Sequence, residues 1–234
     1  NKRMNKSENK TRMYDAEATR NRLLDAAEAL FADRGYNAVS MRDIARHAHV
    51  NLAATGYHFG SKENLFVESL MRQMRPLNAH RLAALDALEA RSTPPTLAEV
   101  LDLFARIMVE TAVSEQKTGT HLHRNLSRAF AESDEIARVV FRKEMLPAAM
   151  RFLQAIQRAC PALSVAAATH GLAMFAGCLV HTLRWAVSSP FPELMDGTKP
   201  DAETLITSLV AFGEAGFRKL AEVKTPKRKK RSTS

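Results

Sequence analysis

The stretch SMRDIARHAHVNLAATGYHFGSK, residues 40–62, decides how this chain is read. Ser40 can accept a bond from the backbone three residues on, and Asp43 can return it, so a capping box starts a helix at Met41. Met41, Ile44, Ala45 and Ala48 then share one face. Two helical turns do not persist alone in water, so this helix needs a partner to bury against. The segment from Asn51 to His58 supplies it, with Asn51 as cap after a tight turn at His49-Val50. Val50, Thr55 and Phe59 form its inward side, leaving Leu52, Ala53, Gly56 and Tyr57 outward. Two short helices meeting at a tight turn make a helix-turn-helix, whose second helix enters the DNA major groove. Small outward residues let the backbone come close. Ser61 opens the next helix, and Lys62 in its first turn combines a charge with unpaired backbone N–H groups, an arrangement suited to phosphate.

Upstream, a helix is expected from about Ala16 to Arg34, with Leu23, Leu24, Ala27, Leu30 and Phe31 facing inward at helical spacing. Gly35 ends it as a C-cap, and Tyr36 and Val39 pack beneath the two short helices. From Thr19 to Phe66 the sequence, TRNRLLDAAEALFADRGYNAVSMRDIARHAHV followed by NLAATGYHFGSKENLF, resembles the TetR family of transcriptional regulators. The resemblance implies a three-helix DNA-binding domain whose contacts fall on Ser40, Arg42, Asn51, Leu52, Ala53, Ala54, Gly56, Tyr57, His58 and Lys62. Lys62 occupies the family's phosphate-clamping position, and Arg42 one that can reach a base edge. Gly56 departs from the pattern, since the family commonly has Tyr or another polar groove-contacting residue there. That departure removes one usual contact and costs about 1 kcal/mol of helix stability relative to Ala.

Charge is placed to match. Residues 1–75 hold 13 Lys/Arg against 9 Asp/Glu, residues 76–223 hold 15 against 16, and residues 224–234 hold 6 against 0. The basic N-terminal part suits a domain that replaces counterions on phosphate. Residues 1–15 read as a basic flexible arm lacking an apolar face. The ending KTPKRKKRSTS, within residues 223–234, reads as a basic disordered tail. Cys160 and Cys178 lack metal-ligand spacing and lie in apolar helical patterns, as buried free thiols of a reducing compartment do. The N-terminus is too polar for a signal peptide, and the apolar run from Leu172 to Val180 is interrupted and short, so a cytoplasmic protein with no membrane partner is expected, and the resemblance points to bacteria.

The whole chain reads as all-α. A helix-turn-helix domain at 16–66 is followed by a larger helical domain at 67–222, for which the resemblance implies ligand binding and dimerisation. A helix from Lys62 carries Leu65, Phe66, Ser69 and Leu70 on one side, meets a kink at Pro76, and continues through Leu77, Leu82, Leu85 and Leu88. The RSTPPT segment breaks it, and Thr96 with Glu99 forms a second capping box. Later breaks at Ser114 to Thr118, near Ser133, at Cys160-Pro161 and across Ser188 to Pro200 leave helices near 119–131, 134–158, 164–187 and 201–221, with a kink at Pro147. The last two are rich in small residues, including Gly171, Gly177, Gly213 and Gly216, which predicts close helix packing. The resemblance implies that these two pair with the same two of a second subunit, giving a homodimer that reads a palindromic operator in double-stranded DNA.

No P-loop, nucleophile elbow, dinucleotide fingerprint or HExxH is present, so the sequence gives catalysis, metals and cofactors no support. His121 and His123 are two residues apart, on different helix faces. The apolar and soft side chains of the middle helices read as core, and the resemblance, which implies an inducer pocket in this domain, makes Phe104, Met108, Arg124, Phe130, Met145, Phe175, His181, Arg184 and Trp185 the candidates to line it. The segments RPLNAHRLAALDALEA and HLHRNLSRAF resemble a TetR subgroup that includes fatty-acid-responsive regulators, which implies a small hydrophobic, acyl effector. The expected function is a ligand-responsive repressor. Two other classes compete with it: an all-α carrier or enzyme retaining a helix-turn-helix, which would not bind DNA, and a non-specific DNA-binding protein, which would show little sequence preference.

Overall fold

The computed structural model describes residues 2–118, 122, 125, 134–187 and 201–223, with helices α1 (Lys2–Arg34), α2 (Met41–His47), α3 (Leu52–Phe59), α4 (Lys62–Glu89), α5 (Leu97–Thr118), α6 (Asp134–Val140), α7 (Leu146–Ala159), α8 (Val165–Val187) and α9 (Ala202–Glu222). No strand occurs among these residues. The helix expected at 119–131, the loop at 188–200 and the tail from 224 lie outside them, apart from Leu122 and Asn125. Two compact units are present: residues 1–78 with 115–146, and residues 79–114 with 147–234. The first therefore takes in more than the expected helix-turn-helix segment. Both units share α4, so the expected boundary at 66/67 falls inside an unbroken helix.

Two expectations are corrected. The arm at 1–15 is helical, because α1 begins at Lys2 rather than near Ala16. Its first turns lack an apolar face, but Lys, Arg, Glu, Met and Ala are good helix formers and neither Gly nor Pro interrupts them. The break at Ser114 to Thr118 is also absent, since α5 runs to Thr118. Pro76 lies inside α4, where it removes one backbone bond without ending the helix. Pro147 acts more locally: the turn before it, Phe141–Met145, is π-helical and joins α6 to α7. Asn78 donates to the Glu144 carbonyl of that turn at 2.7 Å, and Arg75 pairs with the Glu144 carboxylate.

In the first unit, Leu23, Leu24, Ala27, Leu30 and Phe31 of α1 are buried with Ile44, Phe59, Leu65, Phe66 and Leu70, as the helical spacing requires. The Phe31, Tyr36 and Phe66 rings meet at centroid separations of 4.5 to 5.8 Å. Gly35, at φ 85°, closes α1 through a bond to Phe31 O, a conformation that costs glycine nothing. Polar clamps fix α1 to α4: Arg72 reaches Asp25 and Glu28, and Arg20 pairs with Glu68. Burial raises the Glu28 pKa above the ordinary carboxylate value, against the opposing pull of Arg72. In the second unit α8 and α9 pack at glycine contacts. A Cβ on Gly171 would lie 2.4 Å from the Phe217 ring, and one on Gly213 would lie 2.6 Å from the Phe175 ring.

Candidate nucleic-acid interface and effector unit

The capping box forms as its residue types predict. Ser40 Oγ accepts from Asp43 N at 3.1 Å and Asp43 Oδ2 accepts from Ser40 N at 3.1 Å, and the Ser40 hydroxyl, then its backbone N–H, by donating to the Asp43 carboxylate hold it below its usual range. Arg46 is paired to Asp43 at 2.7 Å. Arg42, one turn earlier, is exposed and has no partner among the described residues. His49 makes the turn at φ 54°, the left-handed region that side chains other than glycine rarely adopt. Asn51 caps α3 by accepting from Ala53 N at 2.9 Å. Thr55 donates to Leu52 O and, with Phe59, faces the core.

This fixes the opposite face of α3. Leu52, Ala53, Gly56 and Tyr57 are exposed, Tyr57 at 83%, while Ala54 is half-buried and rests against the core. His58 is half-buried and edge-on to the Tyr57 ring, and burial, with the Arg20 charge second, lowers its pKa. Gly60, at φ 72°, ends α3 and turns the chain into Ser61, whose hydroxyl accepts from Asn64 N as the cap of α4. Lys62 is half-buried. Its ammonium donates to Tyr36 O at 2.9 Å and to Val39 O at 3.0 Å and lies 4.2 Å from the centroid of the Tyr36 ring. The sequence reading missed this fastening role, because the two carbonyls belong to a loop more than twenty residues upstream.

The expected effector residues do not form one cluster. Phe104, Met108 and Phe175 are buried in the second unit, with Phe104 5.9 Å from Phe175 and 5.1 Å from Phe152 between ring centroids. Met145 belongs to the first unit, where it rests against the helix-turn-helix core, since the π-helical turn ends there. His181 lies on the exposed side of α8, off the buried row Leu172, Phe175, Leu179 and Leu183. Arg124 and Phe130, like His121 and His123, lie outside the described residues, as do the side chains of Arg184 and Trp185. Sequence reasoning also missed Arg81. It stands in the buried row Met74, Asn78, Arg81, Leu85 of α4, and an arginine at helical spacing between apolar residues was the available signal.

On α8 and α9 an apolar face is left open. Met174 is 58% and Phe212 68% exposed, Val165 and Val180 are exposed, and nothing lies within 4 Å of a Cβ placed on Gly177 or Gly216. The segment Val165–Leu183 is long and apolar enough to cross a membrane, contrary to the reading of its sequence as too short. Its two faces differ, however: Ala168, Leu172, Phe175 and Leu179 are buried inside the unit, and Thr169, His170 and His181 are on the exposed side.

With this geometry in hand, two family matches decide the relationship. Residues 23–68 match the model of bacterial regulatory proteins of the tetR family, and residues 102–216 match the tetracyclin repressor-like C-terminal domain. The chain belongs to the TetR family. A segment of this TetR-family chain is 39% identical over 75 residues to the HTH-type transcriptional regulator BetI of Rhizobium meliloti, covering 32% of this chain and 36% of BetI. Another is 37% identical over 81 residues to the HTH-type transcriptional repressor KstR2 of Rhodococcus jostii, covering 32% of this chain and 40% of KstR2. The chain thus spans about two fifths or less of the length of these curated relatives. Among solved structures, the transcriptional regulator FadR of Bacillus subtilis in complex with stearoyl-CoA matches with a TM-score of 0.58 at 16% identity, covering 87% of this chain and 98% of FadR. At that identity the likeness is one of fold.

Proposed function

We propose that this chain is a homodimeric transcriptional regulator, a repressor, that binds a palindromic operator and leaves it when a small apolar effector occupies the second unit. The observation that carries the reading is the divided surface of α3: Thr55 and Phe59 hold it to the core while Leu52, Ala53, Gly56 and Tyr57 are left to a groove. Arg42 supports it from the first turn of α2 as an exposed guanidinium able to fork onto guanine. The open apolar face of α8 and α9 supports the dimer, because a second copy would cover Met174 and Phe212 and set two α3 helices about one DNA turn, or a multiple, apart. Lys62 in the first unit and the buried row of the second lie on one helix, α4, which is how effector and operator would oppose each other, by a coupling typically of about 1–3 kcal/mol. Cytoplasmic location follows from this function.

The test is to incubate the purified protein with genomic fragments or randomised duplexes and sequence what it retains. Enrichment of one inverted repeat is expected. Retention without any shared sequence would replace this reading with non-specific DNA binding.

A further inference from the structure

Arg81 is buried inside the second unit with 7% of its surface exposed, and no carboxylate among the described residues meets it. Its Nη2 donates to Phe104 O at 3.2 Å, whereas its Nε has no hydrogen-bond partner. The guanidinium carbon lies 4.3 Å from the Phe104 ring centroid and 5.2 Å from that of Phe152. Burial alone lowers its pKa, to about 10, so the group stays charged at neutral pH. A buried cation is expected to be paired, and here, among the described residues, two aromatic rings and one carbonyl offset the loss of water. Both rings lie beside the guanidinium at those distances. An unused N–H at its edge lies in the plane, the direction from which a carboxylate engages the arginine fork through two parallel bonds.

We propose that Arg81 is the recognition point for the carboxylate of the effector, whose apolar body lies against Phe104, Phe152 and Phe175. The inference rests on the reading of the chain as an effector-responsive regulator and narrows the effector to an apolar molecule with a single carboxylate. The aromatic residues provide area and stacking for the body, and the arginine fixes its orientation and rejects neutral analogues. Such rejection is strong because a neutral ligand would occupy the site and still leave the N–H of Arg81 unmatched.

The test uses the full chain and matched pairs that differ only in the head group: decanoate with 1-decanol, 4-phenylbutanoate with 4-phenylbutan-1-ol, and 1-naphthoate with 1-naphthalenemethanol. Binding is measured by calorimetry for the wild type, Arg81→Met and Arg81→Lys, with the fold of each checked by circular dichroism and thermal melting. In the wild type at least one carboxylate should bind about 30-fold more tightly than its alcohol, the scale of losing one partner of a buried charge pair. Arg81→Met, which keeps the apolar volume, should abolish that preference, and Arg81→Lys, which keeps the charge without the fork, should retain part of it. If Arg81→Met does not fold, loss of most of the preference in Arg81→Lys carries the same conclusion. Equal binding of acid and alcohol by the wild type, no binding of any carboxylate, or an undiminished preference in Arg81→Lys or a folded Arg81→Met would overturn the assignment. Operator binding is read separately on the same samples: specific DNA binding without carboxylate recognition removes this inference alone, and Arg81-dependent carboxylate binding without specific DNA binding removes the regulator reading alone.

Discussion

The ammonium of Lys62 is fastened to the carbonyl oxygen of Tyr36, 2.9 Å away, and lies against the face of the Tyr36 ring. With the Val39 carbonyl it thereby ties the first turn of α4 to the loop that leads into α2. Among the described residues two of its three donors are used by carbonyls, and the proposed phosphate contact falls to the third. Lys62→Met should lower stability by about 1–3 kcal/mol, the range for hydrogen bonds to a charged group and for acceptors left unpaired. It should also weaken all DNA sequences alike and reduce the salt dependence of binding by about one phosphate. Urea denaturation and binding titrations at several salt concentrations separate the effects. An unchanged salt slope would mean that Lys62 serves only to hold the loop.

Arg42 is expected to act differently, because it is exposed and, among the described residues, unpaired where Lys62 is engaged. Arg42→Ala should cost about 1–3 kcal/mol at one base pair of each half-site and little elsewhere, as loss of a bidentate guanine contact does. The exposed α3 face offers few hydrogen-bonding groups besides Tyr57, so Leu52 and Ala53 should read thymine methyls, whereas Ala54 rests against the core. Replacing those thymines by uracil removes only the methyl and should weaken binding at each site. A uniform loss for Arg42→Ala, or indifference to uracil with specificity lost in Tyr57→Phe, contradicts this division of work.

Two glycines at the contact of α8 with α9 should not tolerate a side chain. Gly171→Ala and Gly213→Ala place a Cβ 2.4 and 2.6 Å from aromatic ring atoms, and each should destabilise the protein by about 1–3 kcal/mol through overpacking. Phe212, by contrast, is exposed in the isolated chain. Phe212→Glu should leave the fold intact and convert the proposed dimer to a monomer in sedimentation velocity. A dimer that persists unchanged would place the contact between subunits elsewhere.

Acid should act through the helix caps. The backbone N–H of Thr96, Arg91 and the Thr96 hydroxyl hold the Glu99 carboxyl down to about 2, below its ordinary 4.5. Because the folded value is the lower one, the stabilisation is complete above pH 4.5 and is lost as pH falls toward 2. Glu99→Gln should flatten the dependence of thermal stability on pH across that window. An identical pH profile in the variant would count against the cap.

Local chemistry was legible where its partners lie within a few residues. Ser40 with Asp43, Asn51 with Ala53, Gly35 and the Thr96–Glu99 box all form as their residue types and spacing predict, and the row from Leu23 to Phe31 is buried. Long-range partners were not legible. Nothing in the sequence near Lys62 points to the carbonyls of Tyr36 and Val39, and the helical spacing that sets Arg81 among apolar residues does not reveal the Phe104 and Phe152 rings it lies against. The helical start of α1 was hidden for another reason: absence of an apolar face suggests disorder, whereas helix propensity and continuity with the following turns are independent of amphipathicity.

The most direct test of the central claim is the affinity of the full chain for its selected inverted repeat and for a scrambled duplex of the same length and composition, measured by fluorescence anisotropy at physiological salt. A sequence-specific regulator should prefer the repeat by about a thousandfold or more, with the preference persisting as salt is raised while both affinities fall. Equal affinity for the two duplexes, falling together with salt, would contradict it.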